Sequence, residues 1–242
     1  MPRNRTTNGN DLRQRIVAAA ARLLETGGRD AVSTRAVSAA AGVQAPTIYR
    51  LFGDKQGLLH AVATDGFARY LADNIGRAPT DDPVADLRAG WDLHVDLGLA
   101  NPALYSLLYD EHGPGTHSPA ARAATDVLAG HVHRTAEAGR LRVAEPRAVQ
   151  LLHAAARGAT LTLIGTPESE RDPALSATLR EAVLAAIATD AADASIVAVQ
   201  GRPRADLVSS AVTLRAHLPH ADMLTAQERA LLQQWLDRIA DP

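Results

Sequence analysis

The stretch Ser33–Lys55, STRAVSAAAGVQAPTIYRLFGDK, constrains this chain more than any other. Ser33 is a helix-capping residue type, and Ala36, Val37 and Ala40 recur behind it at the spacing of one helical face. Gly42 then offers the residue type that tolerates the positive φ at which helices end. From Gln44 to Phe52 a second helix restarts. Pro46 sits in its first turn, where a missing N–H breaks no hydrogen bond, and Val43, Ile48 and Phe52 are spaced to point inward. Two short helices joined by a tight glycine turn form a helix-turn-helix, whose second helix fits the major groove of B-DNA. The outward residues Gln44, Ala45, Thr47, Tyr49 and Arg50 are rich in hydrogen-bond donors and include no carboxylate. The pattern alone is also met in ordinary helical hairpins.

Further residues narrow the choice. The set Thr34, Gly42-Val43, Pro46-Thr47-Ile48-Tyr49, Phe52, Lys55 and Leu58-Leu59 resembles the DNA-binding half of the TetR family of bacterial transcription regulators. The resemblance runs from Leu12 to Val62 and fades beyond. It implies an all-α protein with an N-terminal three-helix helix-turn-helix domain and a larger helical ligand-binding and dimerisation domain. It also implies a homodimeric repressor that binds a near-palindromic double-stranded operator and is released by a small molecule. By the same resemblance Thr34, Arg35, Gln44, Ala45, Pro46, Thr47, Tyr49, Arg50 and Lys55 touch DNA. Gln44 and Arg50 can donate to base edges, while Ala45, Pro46 and the Thr47 methyl can meet thymine methyls. Thr34, Tyr49 and Lys55 suit phosphates. One position departs from the pattern: Leu51 stands where many relatives carry a His or Tyr that reaches a phosphate, a contact leucine cannot make.

Charge agrees with this placement. The formal net charge is only −2, but residues 1–60 hold nine Arg/Lys against four Asp/Glu, and residues 61–242 hold sixteen against twenty-three. The basic end therefore coincides with the helix-turn-helix. Composition excludes other classes. With no cysteine, disulfides and thiol chemistry are out. No apolar segment follows Arg3 and Arg5 as a signal peptide requires, and no window is apolar enough to span a membrane, so a cytoplasmic protein is expected. No cofactor or metal is expected either. His131 and His133 are two apart on a helix and face different ways, and no HExxH, G-x-S-x-G or Gly-rich phosphate loop is present. An enzyme is thereby disfavoured. A constitutive DNA-binding protein without a ligand stays open, although it would not need so large an acidic helical domain.

In chain order, residues 1–10 form a polar arm, read either as a flexible tail or as a basic arm whose Arg3 and Arg5 track a groove. Residues 11–55 make the DNA-binding domain, beginning with a helix from Asp11 to Thr26 that Gly27-Gly28 ends; its Arg13, Arg15 and Arg22 suit solvent. Residues 56–242 make the ligand-binding and dimerisation domain. Asp54 caps a fourth helix that puts Lys55 beside the positive end of the helix dipole, a place where a cation needs a reason. Gly57 and Gly66 in that helix serve either looseness or close packing. Asp82-Pro83, Asn101-Pro102, Ser118-Pro119, Glu145-Pro146 and Asp172-Pro173 then mark five helix starts, predicting helices over 84–99, 103–111, 120–138, 147–164 and 174–189. Residues 111–118 and 191–204 read as connections, 206–218 as a helix, and Thr225 with Glu228 as the capping box of a last one.

The helices over 147–164 and 174–189 are the most apolar pair. They suit either a monomeric core or a four-helix bundle shared by two subunits, with Leu152, Ala155, Ala156, Ala159, Leu163, Leu175, Leu179, Val183 and Ile187 as the dimer contact. For the effector, Trp91, His94, Tyr105, Tyr109 and His131 combine aromatic rings with polar tips, which suits a mostly apolar small molecule. Each of these also reads as ordinary core or surface. Leu224, Leu231, Leu232, Trp235, Leu236 and Ile239 share one side of the last helix and read as extra packing.

Overall fold

A computed structural model describes residues 4–74, 79–109, 119–189 and 203–241. These residues are helical apart from connecting turns and one isolated antiparallel bridge, Leu141 with Ala188. They divide into two units. The first comprises Met1–Arg77 and Leu97–Ala123, the second Ala78–Asp96 and Ala124–Pro242.

In the first unit, α1 (Asn4–Ala31) packs against α2 (Thr34–Ala41) and α4 (Lys55–Asn74), and α3 (Ala45–Phe52) packs against α2 and α4. The helix starts at Asn4 rather than Asp11, so part of the expected arm is helical. No proline after Pro2 interrupts the chain there, so nothing stops the helix from extending toward the N-terminus. Gly28 breaks the far end with φ 66° and ψ −167°, as expected of the Gly27-Gly28 pair. Helix α6 (Pro102–Tyr109) also belongs to this unit and packs on α1 and α4. The core gathers Ile16, Ala20, Val37, Ile48, Leu58, Leu59 and Val62 with Tyr105, all buried. Ala40, expected to face inward, is exposed; the helix turns Val37 to the core and leaves Ala40 at its edge.

The second unit is built from most of α5 (Pro83–Ala100) and α7 (Pro119–Glu137) with α8 (Glu145–Gly165), α9 (Leu175–Ile187), α10 (Pro203–His217) and α11 (Ala226–Ala240). The proline signals hold for four of these starts: α5, α6 and α7 open on their prolines, and α8 has Pro146 in its first turn. Ser118 lies outside the described residues. Pro173 differs, because the chain turns at Pro173-Ala174 and α9 begins only at Leu175, with the Asp172 carboxylate accepting from the Ala174 N–H at 2.8 Å. The expected connections over 111–118 and most of 191–204 also lie outside the described residues.

Side-chain pairs tie this unit together. Asp86 is buried, yet it accepts from the Thr80 hydroxyl at 2.7 Å and from Arg134 Nη1 at 2.6 Å. Burial works against its charge, but the Thr80 and Arg134 hydrogen bonds outweigh it and hold the carboxyl below its ordinary range. Arg140 pairs with Asp82, and Arg88 grips Glu181 with two nitrogens at 3.0–3.2 Å. Helices α10 and α11 form a hairpin around Ala211, Leu218 and Leu236, with Leu224, Leu232 and Ile239 packed beside them. Thr225 and Glu228 make the expected capping box. Leu231 and Trp235 do not join this packing and stand exposed, because the hairpin core takes only the α10 side of the helix.

Two glycines should respond oppositely to alanine. A Cβ at Gly57 would lie 2.0 Å from the Phe52 carbonyl oxygen, so Gly57→Ala is expected to destabilise by about 1–3 kcal/mol. At Gly90, inside α5, a Cβ meets nothing within 4 Å, and Gly90→Ala should stabilise by about 0.5–1 kcal/mol. Denaturant unfolding of the two variants beside the parent checks both signs.

Candidate nucleic-acid interface

The reading surface is set from below by two buried residues. Val37 in α2 and Ile48 in α3 are fully buried, so each helix has one face fixed and the opposite face turned outward. The Ser33 hydroxyl accepts from the Ala36 N–H at 3.1 Å and caps α2. At the other end Gly42 adopts φ 65° and ψ 40°, the left-handed geometry that needs no side chain, and the Val43 N–H closes on the Ser38 carbonyl at 3.0 Å. The chain therefore enters α3 at a fixed angle.

On α3 the outward residues are as expected. Gln44, Pro46, Tyr49 and Arg50 are exposed, Ala45 and Thr47 are half-buried, and on α2 Thr34 is half-buried beside exposed Arg35. The Gln44 side chain makes no cap bond. Phe52 closes the helix under the guanidinium of Arg13, which lies 5.1 Å from the ring centroid. Arg13, expected in solvent, is thus tied to the end of α3, since a flat cation gains from an aromatic face within reach.

Lys55 stands in the first turn of α4, half-buried, with Nζ donating to the Arg29 carbonyl at 3.4 Å. Arg29 Nη2 donates to the Gln56 side-chain oxygen at 3.1 Å, and Asp54 caps the helix through the Gly57 N–H at 2.7 Å. Arg29 was not singled out by the sequence; its signal is Gly28, whose turn brings that residue back over α4.

Residues 16–62 match the family described as bacterial regulatory proteins, tetR family. The likeness to the TetR family lies in this N-terminal stretch. It is 32% identical over 120 residues to the HTH-type transcriptional regulators Rv1816 of Mycobacterium tuberculosis and Mb1846 of Mycobacterium bovis, covering 46% of this chain and 48% of each relative. The chain thus spans about half the length of the curated relatives it matches. In fold it is similar to a protein of unknown function from Rhodococcus sp. RHA1, with TM-score 0.58 and 27% identity over 74% of this chain and 96% of that one. It is also similar to RolR in complex with resorcinol, with TM-score 0.62 and 20% identity over 82% and 98%, a likeness of fold alone.

The other expected site residues fall in two places. Tyr105 is fully buried and packs on Tyr109 with ring centroids 4.7 Å apart and planes tilted by 47°, both in the first unit. Trp91, His94 and His131 lie in the second, where buried Trp91 donates Nε1–H to the Ser176 hydroxyl at 3.0 Å. Burial first, and the charge of His153 second, push His94 down to about 4 from its usual 6.5. Burial also lowers His131, with Asp86 opposing and Arg134 assisting. Among the described residues a groove of about 850 Å³ opens elsewhere in this unit, between α8, α10 and α11.

Along α8 and α9, Leu152, Ala156, Ala159, Leu163 and Ile187 are buried inside the single chain, with Ala155, Leu175, Leu179 and Val183 half-buried. The more apolar side of each helix fills the subunit's own core. The exposed positions include Leu151, Ala154, Gly158, Leu161 and Thr162 on α8 and Ala177, Thr178, Glu181, Ala182, Ala185 and Ala186 on α9. The expectation from sequence chose the inner stripe because α8 is apolar nearly all round and periodicity does not separate its two sides.

Two outcomes follow from this geometry. Lys55→Ala should weaken binding to all DNA and flatten its log–log salt dependence by about one unit, whereas Arg50→Ala should also erode discrimination between operator and random DNA by about 1–3 kcal/mol. Fluorescence anisotropy across a salt series separates them; equal losses on both DNAs for both variants would contradict the division. Stability is the second readout. Because the folded His94 holds its proton less tightly than the unfolded one, its contribution is complete above pH 6.5 and is lost as pH falls toward about 4. Urea unfolding across that window should weaken with acid, and His94→Gln should reduce the slope.

Proposed function

We propose that this protein is a ligand-responsive repressor that binds a near-palindromic operator as a homodimer and lets go when a small molecule enters its second unit. The observation that carries the reading is the carboxylate-free outer face of α3, with Gln44, Tyr49 and Arg50 exposed above a buried Ile48. One such face reads one half-site; two on a dimer read successive major grooves when about 34–36 Å apart. DNA protection across the region flanking its own gene tests this directly, and a single footprint with two-fold symmetric halves is the expected result.

Dimerisation follows on the outer stripe of α8 and α9. Leu151, Ala154, Gly158 and Leu161 with Ala177, Ala182 and Ala185 present small and apolar residues to solvent, a surface on which two helix pairs can approach closely. A carboxylate placed there would be buried without a partner. Leu161→Glu or Ala182→Glu should halve the mass in solution and abolish operator binding while the helical spectrum is kept; an intact dimer would move the contact elsewhere.

The effector reading keeps to Trp91, His94 and His131. The two imidazoles are held toward the neutral form, so they suit hydrogen bonds to an uncharged, mostly apolar molecule more than they suit an anion. The fold shared with RolR, which is complexed with resorcinol, supports a ligand of that kind. A compound that raises the melting temperature should also release operator DNA, and a ligand that binds only the non-reading spacing explains both effects. His94→Gln should lose the response yet still bind DNA. Release by anionic compounds alone would sink this chemistry.

A further inference from the structure

We propose that α11 pairs with the α11 of a second copy, along an exposed stripe of its own whose last residue, Arg238, also borders the groove that Leu151 and Ala154 of α8 line. Four residues of this helix, Glu228, Leu231, Trp235 and Arg238, follow one another at steps of three, four and three. That is the spacing of a coiled-coil seam, and it lays the four along one stripe. All four are exposed, Leu231 by 46% and Trp235 by 50%. The inner side of the helix is already filled by Leu232, Leu236 and Ile239 against α10, so the exposed pair is not a gap in the hairpin's core. On α10, Leu207 and Leu214 are also exposed, and helical register turns them away from the edge where Arg215 pairs with Asp237. They extend the apolar strip on the same side as Trp235. Large apolar side chains gathered on one face mark a contact surface rather than scattered exposure.

Charge and symmetry select the occupant. In an antiparallel pairing centred midway between Leu231 and Trp235, each Leu231 meets Trp235 of the second copy and each Glu228 meets Arg238 of the second copy. The two-fold axis makes every contact twice. Along the helix Glu228 and Arg238 lie about 15 Å apart, so an ion pair closes each end of the apolar centre. A parallel pairing would instead set glutamate on glutamate and arginine on arginine. The exposed neighbours Gln227 and Gln234 add no charge that either arrangement would oppose. Glu228 is held in place beforehand, since its Oε2 accepts from the Thr225 N–H and hydroxyl at 2.8 Å each. With two self-complementary surfaces on one chain, dimers associate further, into a closed assembly of four when the two axes cross at right angles.

Sedimentation velocity of the full chain over a concentration series tests this. The expected result is a four-chain species that dissociates to two on dilution. Trp235→Glu and Leu231→Glu should each weaken that step by about tenfold or more while leaving affinity for a single operator unchanged. Glu228→Arg and Arg238→Glu should each weaken it alone, and the double reversal should restore it, which a merely structural role for either residue would not produce. In a Trp91→Phe background the remaining Trp235 emission should shift to the blue as the larger species forms. No association sensitive to Trp235→Glu, or a double reversal no better than the single variants, overturns the proposal. Should Leu161→Glu leave the two-chain species intact while Trp235→Glu gives monomers, the α8–α9 reading fails and this one stands.

Discussion

Helix α3 has only eight residues, and a helix so short is not stable in water by itself. Its order is borrowed from the burial of Ile48, which on its own contributes roughly 1.5–3 kcal/mol relative to exposure. The rest of the reading head is arranged around that contact. Helix α2 with Val37 and α4 with Leu58 and Leu59 bury their side chains in the same core, while Phe52 and Arg13 fix the exit of the helix. A reading surface must present donors at fixed positions, and here the surface residues contribute little to their own placement. The DNA contacts proposed for Gln44, Tyr49 and Arg50 are therefore separable from folding at Val37 and Ile48.

The same separation explains what could be read from the sequence. Around Ser33, Gly42 and Pro46 the local chemistry admits one answer, because a cap, a left-handed turn and a donor-free first turn each require a particular residue type. The proline starts of α5 to α8 were legible for that reason. Less legible was which side of an apolar helix meets what. In α8, Leu152 and Leu151 are adjacent and equally apolar, yet one is buried and the other is 40% exposed. The difference is set by the neighbours of α8 in three dimensions, not by α8. Trp235 and Leu236 repeat the case in α11, and there too the sequence pattern merged an inner and an outer face into one stripe.

Long-range partners were the other hidden layer. That Arg29 lies over α4 depends on the turn at Gly28, and that Trp91 finds Ser176 depends on how α5 meets α9. Neither contact has a sequence spacing of its own. His94 shows the consequence for chemistry: an ordinary histidine by type becomes a base held well below its usual range because burial and His153 act on it together.

Charge is balanced differently in the two units. In the second unit Arg88, Arg134, Arg140, Arg147, Arg180 and Arg215 each meet a carboxylate, so their charge is balanced locally. On the reading surface, Arg35 and Arg50 are exposed and make no ion pair among the described residues. Affinity for a polyanion comes from releasing the counterions of its phosphates, which a cation already paired with a carboxylate does poorly. A chain with a net charge of only −2 can therefore still hold DNA, because its unbalanced cations and its unbalanced anions are sorted to different helices. An acidic second unit adds to this, since its own faces match phosphate worse than α3 does.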